Sequence, residues 1–185
     1  MKDALESNRS KFGNESRSLF VGGHSSGGHL ATLLATNPQY LAAEGLRLSD
    51  LAGAIPVEGA YDIEQYRSKL IALGTSRKFA DLHVQTVFGD DSKMWKEASP
   101  ASFLEENNVP LFVVTGDEHA FNEYAKPLTD APPEANNITF YHAKGRTHQT
   151  VAAFMGRNEP DRVREDIIEF IRSVSKETKT QSKTE

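Results

Sequence analysis

The stretch Val21–Leu30, V-G-G-H-S-S-G-G-H-L, constrains this chain more than any other. It contains G-x-S-x-G as Gly23-His24-Ser25-Ser26-Gly27. A strand-like run, Leu19 to Gly22, precedes it, and a helix-like run, Leu30 to Thr36, follows. A strand, a sharp turn and a helix in that order read as a nucleophile elbow, in which the serine takes a strained backbone and its oxygen stands clear at the helix start. The positions two residues away on either side must then be small, which the pattern meets with Gly23 and Gly27. The helix N-terminus favours negative charge developing beside the serine. The plainer reading is a Gly/Ser-rich link between a strand and a helix. The flanking elements and the later features favour the elbow.

The rest of the chain repeats the same alternation. Asp3 to Phe12 reads as a short helix capped by Asp3 and ended by Gly13. Ser18–Gly22, Leu51–Val57, Pro110–Thr115 and Asn137–His142 read as strands, and their unbroken apolar runs suit burial on both faces. The helix after the elbow is apolar nearly all round, so burial is expected, and Asn37-Pro38 stops it. Ile63 to about Glu97 reads as short helices crossing the sheet, a candidate lid, with breaks at Gly74 and Gly89-Asp90-Asp91. Ala98–Ser102 reads as a turn. A helix from about Phe121 is expected to kink or end at Pro127 and to stop at the latest before Pro132-Pro133. Lys144–His148 reads as a loop, Asp161–Val174 as an amphipathic helix, and Ser175–Glu185 as a polar, frayed tail. Strands alternating with helical segments four times predict a parallel sheet covered by helices. No internal repeat stands out, and 185 residues suit one domain.

Composition excludes several classes. The net charge of -5 argues against nucleic acid or an anionic membrane as the main partner. The chain has no cysteine, which removes disulfides, thiolate catalysis and Cys-based zinc sites. No apolar run approaches ~18 residues, so no membrane span is expected. The polar N-terminus, Met1-Lys2-Asp3-Ala4-Leu5-Glu6, lacks the apolar core of a signal peptide, which makes the cytoplasm the expected location.

Serine is a weak nucleophile alone. It needs a base to take its proton and a third group to orient that base. In an open α/β sheet these groups gather at strand C-terminal ends. Ser25 meets that condition. His148 meets it too, in a Gly-containing loop after the last strand, and is the candidate base; its plainer reading is a surface loop histidine. A serine–acid–histidine chain order puts the acid after Pro110–Thr115, where Asp117 and Glu118 stand; each could equally be an ordinary loop charge. His24 and His29 flank the elbow and read as packing or hydrogen-bonding residues. A metal site from His24, His29 and His119 has no supporting ligand spacing, so no metal is expected.

These residues resemble the α/β-hydrolase superfamily, and within it the esterase/lipase and kynurenine-formamidase-like group, from about Ala4 to Ser173. The matching pieces are G-H-S-S-G-G-H-L at Gly23 to Leu30, I-P-V-E-G-A-Y-D at Ile55 to Asp62, and A-S-P at Ala98 to Pro100. P-L-F-V-V-T-G-D at Pro110 to Asp117 and G-R-T-H at Gly145 to His148 complete them. The resemblance implies a truncated α/β-hydrolase fold, a mostly parallel sheet covered by helices on both faces, over residues 1–174, with 175–185 as a tail. It implies hydrolysis of small carboxylic esters or aryl formamides through an acyl-enzyme, without metal or organic cofactor. Ser25 would be the nucleophile, His148 the base and the Ser26 backbone N–H one oxyanion donor.

Two departures from that family follow. Its acid stands three residues after the strand-end glycine, and counting from Gly116 reaches His119, which is no carboxylate. Asp117 and Glu118 are therefore ranked equal, with Glu58, at the end of the preceding strand, below them. The family also carries several strands and a His-Gly-Gly type loop before the elbow. Only about 20 residues precede it here, without that motif. The expectation is the C-terminal two thirds of the usual fold, with an open sheet edge available to a homo-oligomer partner. The alternative is a non-catalytic remnant or a fragment.

Overall fold

Four short apolar runs become four strands: β1 (Phe20–His24), β2 (Gly53–Val57), β3 (Leu111–Thr115) and β4 (Ile138–His142). The computed structural model describes residues 18–105, 107–131, 137–153, 155, 157 and 160–181. All neighbouring strands run parallel, and their order across the sheet is their order along the chain. Every residue of β2 is buried, as are four of the five in β3, which accounts for their lack of polar alternation. β1 and β4 are the outer strands and are only half-buried.

Successive residues of the central strands serve opposite faces, because side chains alternate along a strand. Ala54, Leu111 and Val113 pack with Ala35, Leu41, Ala125 and Leu128. Those partners come from α1 (Ser26–Thr36), α2 (Pro38–Ala42) and α6 (His119–Thr129). Ile55, Val57, Phe112 and Val114 pack on the other face with Val151 and Val163, supported by Ile167, Phe170 and Ile171. Those come from α7 (His148–Ala153) and α8 (Arg162–Gln181). The sheet is thus covered by helices on both faces.

Pro56 lies inside central strand β2, an uncommon place for a residue with no N–H. The Ala54 N–H donates to the Pro110 carbonyl at 2.8 Å and the Glu58 N–H to Val114 at 2.9 Å. Position 56 faces the same neighbour and skips its rung. The ladder resumes at Glu58, so the strand end stays pinned where the chain leaves the sheet.

Between β2 and β3 the excursion forms α3 (Ile63–Ala72), α4 (Arg77–Phe88) and α5 (Ser92–Glu97). Asp62, Ser76 and Asp91 cap them by accepting first-turn N–H groups. Gly74 and Gly89 end two of them with φ of 102° and 81°. The Ala98–Ser102 turn gives way to a 3-10 helix over Pro100–Phe103.

Three boundaries differ from the sequence reading. Helix α6 starts at His119 rather than about Phe121 and continues through Pro127 to Thr129, ending before Pro132-Pro133 as expected. His148 does not end a loop; it opens α7, a six-residue helix too short to show periodicity. Helix α8 runs past Val174 to Gln181, into the expected tail. Leu30 also departs from the all-buried expectation for α1, at 56% exposure. The helix expected over Asp3–Phe12 lies outside the described residues. Among the described residues no helix is long and apolar enough to cross a membrane.

Candidate active site

Ser25 joins β1 to α1 with φ 59° and ψ -120°, a backbone conformation that only glycine takes without strain. Its N–H donates to the Val57 carbonyl at 2.8 Å, so the turn is clamped to the end of β2. Its own carbonyl accepts the His29 N–H at 3.1 Å as the helix begins. Space explains the glycines unequally. A Cβ on Gly23 would stand 2.5 Å from the Gly27 backbone, and one on Gly28 2.8 Å from the Val57 carbonyl. A Cβ on Gly27 would meet nothing within 4 Å, so the close approach needs Gly23 and Gly28 rather than Gly23 and Gly27 as expected.

From Ser25 a continuous chain of hydrogen bonds leads into the core. Ser25 Oγ lies 3.1 Å from His148 Nε2. His148 Nδ1 lies 2.7 Å from Glu58 Oε2. Glu58 Oε1 accepts the Gly116 N–H at 2.7 Å. An ionised carboxylate only accepts, so His148 carries its proton on Nδ1 and leaves Nε2 free to accept from the Ser25 hydroxyl. The Glu58 side chain is wholly buried and that of His148 is 16% exposed. Glu58 stands one residue past β2 with φ 49°, beside Ser25 one of two non-glycine residues with positive φ among the described residues. That twist turns its carboxylate inward while its N–H still completes the β2–β3 ladder. A Cβ on Gly116 would sit 2.5 Å from the Arg146 carbonyl and 2.8 Å from Glu58 Oε1. Only a glycine lets β3 end so close to both.

The His148 ring is held on two sides. Phe121 stacks on it at 3.7 Å between centroids and 6° between planes. His24 lies on it at 4.3 Å and 37°. Phe121 in turn meets Tyr124 edge-on, and Tyr124 meets Tyr66 of α3. Nothing in the sequence singled out Phe121, because one aromatic in a helix carries no signal of what it stacks on.

The carboxylates ranked first from the sequence do not reach the His148 ring. Asp117 holds His142 Nε2 at 2.9 Å and accepts the Gly145 N–H at 2.8 Å, bracing the exposed turn after β4. The Asp117 N–H donates to the Arg146 carbonyl at 2.7 Å, which holds its backbone against that turn. Glu118 accepts the His148 backbone N–H at 2.8 Å, and so caps the start of α7 rather than touching the imidazole. Glu58, ranked below both, is the carboxylate on the ring. Ser26 is the first residue of α1 and is exposed, so its N–H is one of the helix-start donors that lack an intrahelical acceptor.

His24 and His29 titrate below the ordinary histidine range. Burial depresses His24 first, and the charge of neighbouring His148 adds to it, with the His148 backbone and Glu58 pulling the other way. Burial depresses His29, against a hydrogen bond from its Nε2 to the Ala98 carbonyl at 2.7 Å. The His24–His29–His119 grouping weighed from sequence does not assemble. His29 turns to Ala98 and the edge of Phe88. Ligand-type atoms of His24, Glu58 and His148 lie within 4.8 Å of one another instead.

A buried carboxylate, an imidazole and a serine on a strained turn are the components of nucleophilic acyl transfer. Known proteins agree at the level of fold. The chain resembles the crystal structure of esterase B from Lactobacillus rhamnosis with a TM-score of 0.70 at 15% identity, over 99% of this chain and 63% of that one. It resembles EstE5 soaked with p-nitrophenyl butyrate with a TM-score of 0.64 at 17% identity, over 92% and 58%. It resembles an esterase/lipase from an uncultured bacterium with a TM-score of 0.62 at 21% identity, over 92% and 58%. The chain thus spans about three fifths of the length of these structures. No curated protein matches the sequence. The parallel sheet and these neighbours give a truncated α/β-hydrolase fold. The BD-FAE family model matches residues 3–126, more than half of the chain, taking in Ser25 and Glu58 and stopping before His148. The chain belongs to the BD-FAE family, an esterase family of α/β-hydrolase fold.

Proposed function

We propose that this chain is a serine hydrolase that cleaves small carboxylic esters through an acyl-enzyme. The observation that carries the reading is the unbroken relay Ser25 Oγ, His148 Nε2, His148 Nδ1, Glu58 Oε2, with steps of 3.1 and 2.7 Å. Ser25 Oγ bonds to the ester carbonyl carbon as its proton passes to His148 Nε2, and the carbonyl electrons move to oxygen. The Ser26 N–H and the start of α1 stabilise that oxyanion. Collapse expels the alkoxide, which takes the proton from His148. Water then repeats the sequence on the acyl-serine, returning the acid and free Ser25. Glu58 keeps Nδ1 protonated and steadies the imidazolium, the part the sequence assigned to Asp117 or Glu118. The excursion Ile63–Glu97 serves as a wall or lid within one domain over residues 1–174, a role supported by the ring contacts from Tyr66 to Phe121.

Aryl formamides are the second substrate class, because the same tetrahedral intermediate forms from an amide carbonyl. Rates on a p-nitrophenyl acyl ester and on a formanilide separate the two. A fluorophosphonate probe tests the mechanism itself. Labelling is expected on the wild type and lost in Ser25→Ala. Folded protein that shows no Ser25-dependent labelling overturns the proposal in favour of the non-catalytic reading.

A further inference from the structure

One atom beside the relay has no partner. His24 Nε2 is buried and makes no hydrogen bond, although Glu58 Oε2 stands only 4.0 Å away. Buried polar atoms in folded proteins are nearly always paired, so an orphaned imidazole nitrogen facing a carboxylate calls for an occupant. A direct bond is too long, and a water bonded to both at about 2.8 Å with a tetrahedral angle would set them about 4.5 Å apart. A metal ion also spans it. Zinc bonds to histidine nitrogen and carboxylate oxygen at about 2.0–2.2 Å, so tetrahedral ligand atoms sit about 3.3–3.5 Å apart. The two spacings here, 4.0 Å from His24 Nε2 and 2.7 Å from His148 Nδ1 to Glu58 Oε2, bracket that value from either side. Each of those two spacings differs from it by well under 1 Å, and all three ligand atoms lie within 4.8 Å of one another.

We infer that His24, Glu58 and His148 form a site for a divalent transition metal, zinc foremost, whose binding switches the relay off. The metal takes the lone pair of His148 Nδ1, the atom that otherwise carries the proton shared with Glu58. That proton moves to Nε2, so no net proton is lost from neutral imidazoles and an ionised carboxylate. Nε2 then donates where it must accept, and Ser25 has no base. The donor set, two imidazoles and one carboxylate with room for a water as the fourth ligand, suits zinc over magnesium or calcium, which prefer oxygen. The His24 side chain as a whole is 30% exposed, which leaves the site near solvent. The metal site stands on geometry alone, whereas its inhibitory consequence rests on the serine hydrolase reading above.

The experiment separates those two parts. Zinc binding is measured by calorimetry on the metal-free full chain carrying Ser25→Ala, where no activity is needed. One zinc per chain is expected, and adding His24→Phe, which keeps a ring against His148, is expected to weaken it at least tenfold. Cobalt substitution gives a second readout, with intense tetrahedral visible bands in the parent and none with His24→Phe. His24→Asn, checked by circular dichroism, stands in if the phenylalanine variant does not fold. A chain that takes up no zinc, or holds it as tightly without His24, overturns the site; zinc captured by exposed pairs such as His142 with Asp117 appears as that second result. In the Ser25 enzyme, zinc is expected to suppress p-nitrophenyl acetate hydrolysis, reversed by EDTA. Zinc bound through His24 with ester hydrolysis undiminished overturns the switch and leaves the site. Absence of any ester hydrolysis overturns the catalytic reading and leaves the binding result standing.

Discussion

Glu58 Oε2 and His148 Nδ1 meet at 2.7 Å across 90 residues of sequence, inside a wall that leaves the carboxylate no solvent. A buried charge placed this way stabilises only the imidazole tautomer that can serve Ser25. Glu58→Gln presents an amide that can pair with either tautomer, so kcat is expected to fall by about 10³–10⁴-fold. Asp117→Asn and Glu118→Gln change groups that bind backbone or His142, and kcat is expected to stay close to wild type. Steady-state kinetics on the three variants decide which carboxylate orients His148.

Gly116 is the narrowest point of the site. Adding one methyl there puts carbon 2.5 Å from the Arg146 carbonyl and 2.8 Å from Glu58 Oε1. Gly116→Ala is expected to cost about 1–3 kcal/mol of stability, as overpacking does. It is also expected to lower kcat by displacing Glu58. Urea unfolding and kinetics on one preparation check both effects. A variant as stable and as active as the parent shows that the strand end yields freely.

Strain at the elbow opposes stability. Ser25 holds φ 59° and ψ -120° without a glycine's freedom. Ser25→Gly is expected to raise stability by about 1 kcal/mol, at the low end of the range for such strain. Fluorophosphonate labelling vanishes in the same protein. Thermal melts of Ser25→Gly against Ser25→Ala isolate the backbone contribution, because both lack the hydroxyl and differ only at Cβ.

Acid sensitivity follows from His29. Its folded pKa lies below the ordinary 6.5 because burial disfavours the charged form. The unfolded chain therefore takes up protons first as pH falls, and stability is complete above about pH 6.5 and declines below it. Unfolding free energies at about pH 7.5 and pH 5.5 are expected to differ more in the wild type than in His29→Asn. His24 adds a decline of the same sign. An equal pH dependence in both proteins removes His29 as the cause.

The sequence announced the elbow because its parts are local: strand, serine and helix lie within one continuous run. The place of His148 beside Ser25 was legible because chain order and its Gly-containing loop after β4 both put a histidine there. The carboxylate that meets the His148 ring was ranked low for a physical reason. Counting along the strand end favours Asp117 and Glu118, whereas the decision depends on Glu58 adopting a φ of 49°, a backbone event that residue type does not announce. Gly116 gave a second clue that was readable only in three dimensions, since its N–H is what Glu58 Oε1 accepts. The short helix from His148 escaped notice because six residues hold fewer than two turns. Phe121 escaped because stacking depends on where α6 docks.

The strands stack in the order they are made, and the contact between Ser25 and His148 spans 123 positions. A growing chain can lay β1, β2 and β3 side by side while His148 is still unmade. Whatever reactivity the imidazole lends to Ser25 therefore arrives only after β4 has been made. Until then Ser25 lacks its 3.1 Å contact with His148.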